Sequence, residues 1–209
     1  MMNGLAVNTA GEMEFVFLRN RDRMILRRRE EQMEIYCRES DRLVECVKSG
    51  HAGKMILLCG RPAIGKTTAA EYLAEKIAES IDLKEIVVSP LSPGRRGKAD
   101  KLISVFGTVS GKKVMVVDTL DILCGMLGEK ISRSELVRCL KKYAEQTGCI
   151  IIVVVGLSRG VEARVDHYPR IHDAIAVMGN IEDFAAVLSV YRGNYYTPSG
   201  DSILQISWL

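Results

Sequence analysis

The sequence predicts an α/β fold with a mostly parallel sheet flanked by helices, and three observations predict it. From Gly50 onward, short apolar β-rich runs alternate with segments of helical period, which is how a parallel sheet covered by helices reads. The runs Met55 to Cys59, Ile86 to Ser89, Val114 to Asp118 and Cys149 to Val155 have the unbroken apolar character of buried central strands. Val187 to Tyr191 and Ile203 to Trp208 are joined by RGNYYTPSGDS, where Pro198, Ser199, Gly200 and Asp201 supply turn chemistry, so a hairpin at one edge of the sheet is expected.

Composition narrows the class. A chain of 209 residues has room for one domain plus an extension. Charged residues at 26% and apolar residues at 47% exclude disordered and collagen-like chains. The longest uncharged apolar stretch, Gly148 to Ser158, is 11 residues, short of the roughly 18 to 20 a membrane-spanning helix needs. No basic residue precedes the first apolar residues, so the start does not read as a secretory signal and a cytoplasmic protein is expected. The cysteines (37, 46, 59, 124, 139 and 149) form no CxxC pair, which suits reduced thiols better than disulfides or zinc. A net charge of +3 does not by itself demand nucleic acid, so any such case must rest on motifs.

Taken in order, residues 1–49 are expected to be a helical N-terminal extension. Arg19 to Lys48 is dense in helix formers without Gly or Pro, and Ile25, Met33, Tyr36, Leu43 and Val47 fall roughly on one helical face. That stripe would pack on the main domain or dock on a neighbouring subunit, with a basic arm for nucleic acid the minority reading. Residues 50–209 form the main domain. Within it, Thr67 to Ser80 places Ala70, Leu73, Ala74, Ile77 and Ala78 on one face, so this helix should lie against the sheet. Ser132 and Glu135 have capping-box spacing, Leu136, Cys139, Leu140 and Tyr143 continue the helix, and Gly148 can end it.

Function enters at the turn between the first strand and this helix. MILLCGRPAIGKTTAA contains Gly60, four residues, then Gly65, Lys66 and Thr67, which is the Walker A pattern in its strand-to-helix context. Glycines let backbone N–H groups wrap polyphosphate oxygens, the helix N-terminus adds its positive dipole end, and Lys66 reaches the outer phosphates. Gly60, Arg61, Pro62, Ala63, Ile64, Gly65, Lys66, Thr67 and Thr68 are therefore the candidate cradle for ATP, with the Thr67 hydroxyl a ligand for Mg²⁺. Val114 to Val117 followed by Asp118 fits Walker B, where the carboxylate holds the magnesium through water. A strand between the two Walker strands points to the RecA-like branch of the P-loop NTPases.

These blocks resemble the C-terminal motor domain of DnaB-type replicative helicases. GKMILLCGRPAIGKTTAA is similar to that family's first strand and ARPSMGKT loop, and VMVVDTLDIL to its Walker B strand. LSRGVEARVDHYP is similar to LNRSLEQRADKRP, with Leu157, Arg159, Glu162, Arg164, Asp166 and Pro169 at identical spacing. Asp173, Gly179, Ile181, Glu182, Tyr191 and Arg192 echo the elements that follow. The resemblance runs from about residue 50 to 207. It implies a RecA-like core that binds ATP and tends to form rings, with Arg159 and Arg164 as candidates for sensing nucleotide or touching DNA.

Departures from the family pattern bear on activity. Where the family carries a catalytic glutamate, this chain reads Ser89, Pro90, Leu91, Ser92, and Asp121, one turn beyond Asp118, is the conceivable substitute. The family's sensor glutamine corresponds to Gly156. Its DNA-touching loop is replaced by Ala174 to Gly179, which has no cation for phosphates. The chain stops at Trp208 and Leu209, at the end of the strand after which the family presents its arginine finger. Between the Walker motifs only a short segment remains, and its Arg95, Arg96, Lys98 and Lys101 form either a solvated basic loop or a contact for phosphates or DNA. His51, His167 and His172 lack metal-ligand spacing and are assigned no chemistry.

Two functions follow. The first is a compact ATP-driven motor relative, hydrolysing ATP with Mg²⁺ in DNA replication, with single-stranded DNA and a homo-oligomer or replication protein as partners. The second is an ATP-binding regulatory or interaction module, helicase-associated, that hydrolyses little or nothing. A nucleotide or small-molecule kinase is weaker, because no Arg-rich lid or acceptor site is in view.

Overall fold

A computed structural model describes residues 14–16, 23–28, 31–49, 54–82, 86–90, 113–127 and 132–209. The cations at positions 95, 96, 98 and 101, and the Leu91 and Ser92 positions, lie outside them.

The described strands are β1 (Glu14–Val16), β2 (Arg23–Arg28), β3 (Glu31–Cys37), β4 (Lys54–Gly60), β5 (Ile86–Pro90), β6 (Val114–Asp118), β7 (Ile150–Gly156), β8 (Ala186–Tyr191) and β9 (Leu204–Trp208). They form one sheet in the order β1-β2-β3-β9-β8-β4-β7-β6-β5. The helices are α1 (Ser40–Lys48), α2 (Lys66–Ser80), α3 (Leu120–Leu127), α4 (Arg133–Thr147), α5 (Ile171–Met178) and the single turn α6 (Gly193–Tyr196). Pairing is parallel from β8 through β4, β7 and β6 to β5, which is the run of strands the apolar segments predict.

Alternation along the central strands builds two cores, one on each face of the sheet. On β4, Ile56 and Leu58 point to the side covered by α1 and α2, joining Leu43, Val47, Leu73 and Ile77. Met55, Leu57 and Cys59 point the other way, to Leu123, Leu136, Leu140 and Ala174 of α3, α4 and α5. Strands so enclosed can carry no polar face, which is why their sequences are apolar throughout. The expected capping box is present: the Glu135 N–H donates to Ser132 Oγ at 3.3 Å and the Ser132 N–H to Glu135 Oε2 at 2.9 Å. Gly148 ends α4 with φ 70°, a left-handed conformation that favours glycine. All six cysteines are free thiols, with Cys37, Cys59 and Cys149 buried and Cys139 on the surface.

The structure corrects the reading of residues 1–49. Glu31–Cys37 is a strand and not helix, and β2 pairs with it antiparallel; among the described residues of this stretch, Ser40–Lys48 alone is helical. Ile35 and Cys37 are 0% and 2% exposed, whereas Glu34 and Tyr36 are partly exposed, which is a period of two. The physical reason is the sheet itself. β8 and β9 form the expected antiparallel hairpin, but β9 presents a further row of backbone groups, and β3 pairs with it in parallel at Ile35↔Leu204 and Cys37↔Ile206. The hairpin therefore sits inside the sheet, and α1 is part of the core through Leu43 and Val47. Among the described residues no helix is long and apolar enough to cross a membrane.

Candidate functional site

The site lies at the C-terminal ends of the parallel strands, where the chain leaves β4 and turns into α2. Two glycines make the turn possible. A Cβ on Gly60 would stand 3.2 Å from the Val190 carbonyl oxygen, and Gly65 has φ 109° with Leu204 Cδ1 3.0 Å from where its Cβ would be. Ala63 is also held at positive φ, 59°. Pro62 and Ala63 are exposed, while the Ile64 side chain is fully buried in the core, so Ile64 offers only backbone to a ligand. Thr68 is half-buried in the first turn of α2.

Lys66 is 9% exposed and its Nζ donates to the Arg61 carbonyl at 2.8 Å, so the ammonium is folded over the loop it belongs to. Burial pushes its pKa below the usual lysine range, Asp118 opposes that shift and Arg61 reinforces it. Thr67 Oγ1 donates to Asp118 Oδ2 at 2.5 Å, which joins the start of α2 directly to the end of β6 across 51 positions of sequence. One hydroxyl and one carboxylate are a sparse donor set. That suits Mg²⁺, which keeps waters and takes substrate phosphates as its remaining ligands. Among the described residues no group of three or more His, Cys, Asp or Glu is placed to hold a metal alone.

The other candidates are positioned differently. Asp121 forms an ion pair with Arg133, the two side chains 41% and 44% exposed, joining the start of α3 to the start of α4. At Gly156 a Cβ would meet no atom of the described residues within 4 Å. Arg164 is bound to Asp173 in bidentate fashion at 3.0 and 2.5 Å and to the Tyr168 carbonyl at 2.8 Å. It is an internal staple, not a cation turned to phosphate. Burial alone would raise the Asp173 carboxyl, but the Arg164 bonds and the Arg170 N–H outweigh it and hold the pKa below the usual range. Arg159, in the 3-10 turn Arg159–Ala163, is exposed.

Two features of the site escape sequence reasoning. Arg61 in the loop is buried against Glu162, its Nε donating to Oε1 at 2.7 Å, and against the Leu157 carbonyl at 2.6 Å. Beside them Tyr168, Tyr191 and Tyr196 stack in series, with centroids 3.9 and 5.5 Å apart, and His167 lies 4.6 Å from Tyr196. The matching spacing of Glu162 marked it as a block residue, but nothing in the sequence pairs it with a position 101 residues earlier.

A parallel sheet with helices on both faces, a glycine loop entering α2 and an aspartate on a strand separated from β4 by β7 define a RecA-like P-loop fold. Among the solved structures that share it are two with TM-scores of 0.56 and 0.57. One is an ATPase domain, at TM-score 0.56 and 18% identity over 79% of each chain; the other is a DnaB-like replicative helicase, at TM-score 0.57 and 17% identity over 77% of this chain and 55% of that one. The family model described as the DnaB-like helicase C terminal domain matches residues 107–206, and the chain resembles that domain. The replicative DNA helicase DnaB of Geobacillus stearothermophilus is 34% identical over 98 residues, 44% of this chain and 21% of the relative. The replicative DNA helicase DnaC of Bacillus subtilis is 36% identical over 92 residues, 42% of this chain and 20% of the relative. The matched part is thus about a fifth of these relatives' length.

Proposed function

We propose that the chain binds ATP with Mg²⁺ at the β4–α2 loop and acts in the setting of a replicative helicase as a nucleotide-binding module that hydrolyses slowly. The observation that carries this is the contact between Thr67 and Asp118 beside a lysine held over the loop: the hydroxyl, the carboxylate and the ammonium that a Mg²⁺-triphosphate requires converge at one strand-to-helix turn. In this reading the backbone from Gly60 to Thr68 wraps the phosphates. Lys66 exchanges the Arg61 carbonyl for an outer phosphate oxygen, and Thr67 and Asp118 hold the metal, Asp118 through water. A Mg²⁺ ion held there would supply the positive charge that offsets the charge of the phosphates.

The motor reading shares this grip but needs a group to orient water and a cation for the transition state. Asp121 is tied to Arg133, Gly156 has no side chain and Arg164 is tied to Asp173, which supports the slower module. One assay separates the two: steady-state ATP hydrolysis with and without single-stranded DNA, using Lys66→Ala as control. Turnover below about 1 s⁻¹ and indifferent to DNA is expected, since ordinary enzymes begin near that rate. Faster, DNA-stimulated turnover lost in Lys66→Ala returns the chain to the motors.

A further inference from the structure

On the nucleotide-binding reading, we propose that Glu162 is a positioning residue for the phosphate loop, acting through Arg61, and that the pair ties the grip on phosphate to the turn that carries Arg159. The Arg61 side chain is 8% exposed. Its Nε donates to Glu162 Oε1 at 2.7 Å, its Nη2 lies 2.7 Å from the same oxygen as an ion pair, and its Nη1 donates to the Leu157 carbonyl at 2.6 Å. All three guanidinium nitrogens therefore answer to one short segment, 157–162, at the end of β7. The backbone of the same residue serves the loop: the Arg61 carbonyl accepts the Lys66 ammonium at 2.8 Å. A backbone bond from the Leu157 N–H to the Gly60 carbonyl, at 2.9 Å, closes the contact one residue earlier.

A loop that owes its turn to Gly60 and Gly65 has little stiffness of its own. Its amides must nevertheless be set closely, because backbone N–H groups hold phosphate oxygens only within hydrogen-bonding distance and direction. Arg61 supplies the missing stiffness from outside the loop. When Lys66 leaves the Arg61 carbonyl for a phosphate, the side-chain bonds of Arg61 keep that carbonyl and its neighbouring amides where they were. Arg61 is shielded from water, while Glu162, with its side chain 38% exposed, closes the contact from the solvent side. Tyr196 lies close enough that Arg61 and Glu162 both act on its hydroxyl, which is pushed up to about 12, chiefly by burial. Charge-assisted bonds are strong in such surroundings, and an arginine deprived of its carboxylate there is left buried and unpaired.

The test is competition of Mg-ATP against a fluorescent ATP analogue on the intact chain, with circular dichroism melting run on every variant. Glu162→Ala is expected to bind Mg-ATP about tenfold more weakly or worse. Glu162→Gln should recover much of the loss, because a side-chain oxygen still accepts from Nε. The double variant of Arg61→Ala and Glu162→Ala should bind no more weakly than Arg61→Ala alone, since Glu162 acts only through Arg61. Wild-type affinity in Glu162→Ala, or losses that add in the double variant, would overturn the proposal. Absence of Mg-ATP binding by the unsubstituted chain removes the nucleotide reading itself and this role with it, an outcome visible before any variant is made.

Discussion

The charged groups of the loop and those of the rim around it are held by different kinds of partner. In the loop, Lys66 rests on a single backbone carbonyl, and Thr67 and Asp118 rest on each other; each of these bonds can be exchanged for a bond to ligand or metal at little net cost. In the rim, Arg164 is locked to a buried carboxylate, a partner whose loss would leave charge unmatched, and Asp121 meets a guanidinium in a solvent-exposed ion pair. The loop's charged groups are thus held exchangeably, whereas Arg164 is held by the fold.

The sharpest way to break that contrast is to remove one cation from each side and look for crossed effects. Lys66→Ala is expected to weaken Mg-ATP binding at least about 30-fold, the usual loss when a buried charged partner is truncated, while moving the melting midpoint of the free protein little. Titration calorimetry with nucleotide checks it, and unchanged affinity would end the cradle reading. Arg164→Ala should do the reverse. Removing a mostly buried, bidentate partner of Asp173 should cost about 2–4 kcal/mol in denaturant unfolding, with nucleotide affinity changed far less. If its nucleotide loss exceeds that of Lys66→Ala, the rim is ligand-facing after all.

A smaller effect probes α2 behind the loop. Glu75 lies between Glu71 and Glu79, and its carboxyl is pushed up to about 7 by burial first and then by Glu79 and Glu71. A raised carboxyl pKa means that the fold favours the protonated form. Stability is then full below the ordinary carboxylate range near 4.5, falls as pH rises toward 7 and stays reduced above it. Glu75→Gln is expected to gain about 1 kcal/mol at pH 8, after allowance for partial exposure, and to lose that advantage by about pH 4.5. Melting curves at the two pH values check it, and an equal gain at both would show that charge is not its cause.

Much of the molecule was legible because its determinants are local. The runs at β4, β6 and β7 can only be enclosed strands, Ser132 with Glu135 can only start a helix well, and Gly60 to Thr67 states its own turn. Glu31–Cys37 was not legible, because its apolar residues satisfy a helical stripe and a period of two equally. The free side of β9 decided between them. Arg164 looked like a free cation because its partner Asp173 is nine residues away across a turn whose path the sequence does not give.

The chain's own order of residues determined the strand-to-helix turn, its glycines, its lysine and the enclosed strands, since these depend on neighbours within a few positions. Tertiary structure alone decided that β3 joins the sheet, that Arg61 meets Glu162, and that Asp121 and Arg164 are engaged by protein. Those outcomes depend on which groups are brought within about 3 Å of one another by packing, and no spacing along the chain encodes that distance.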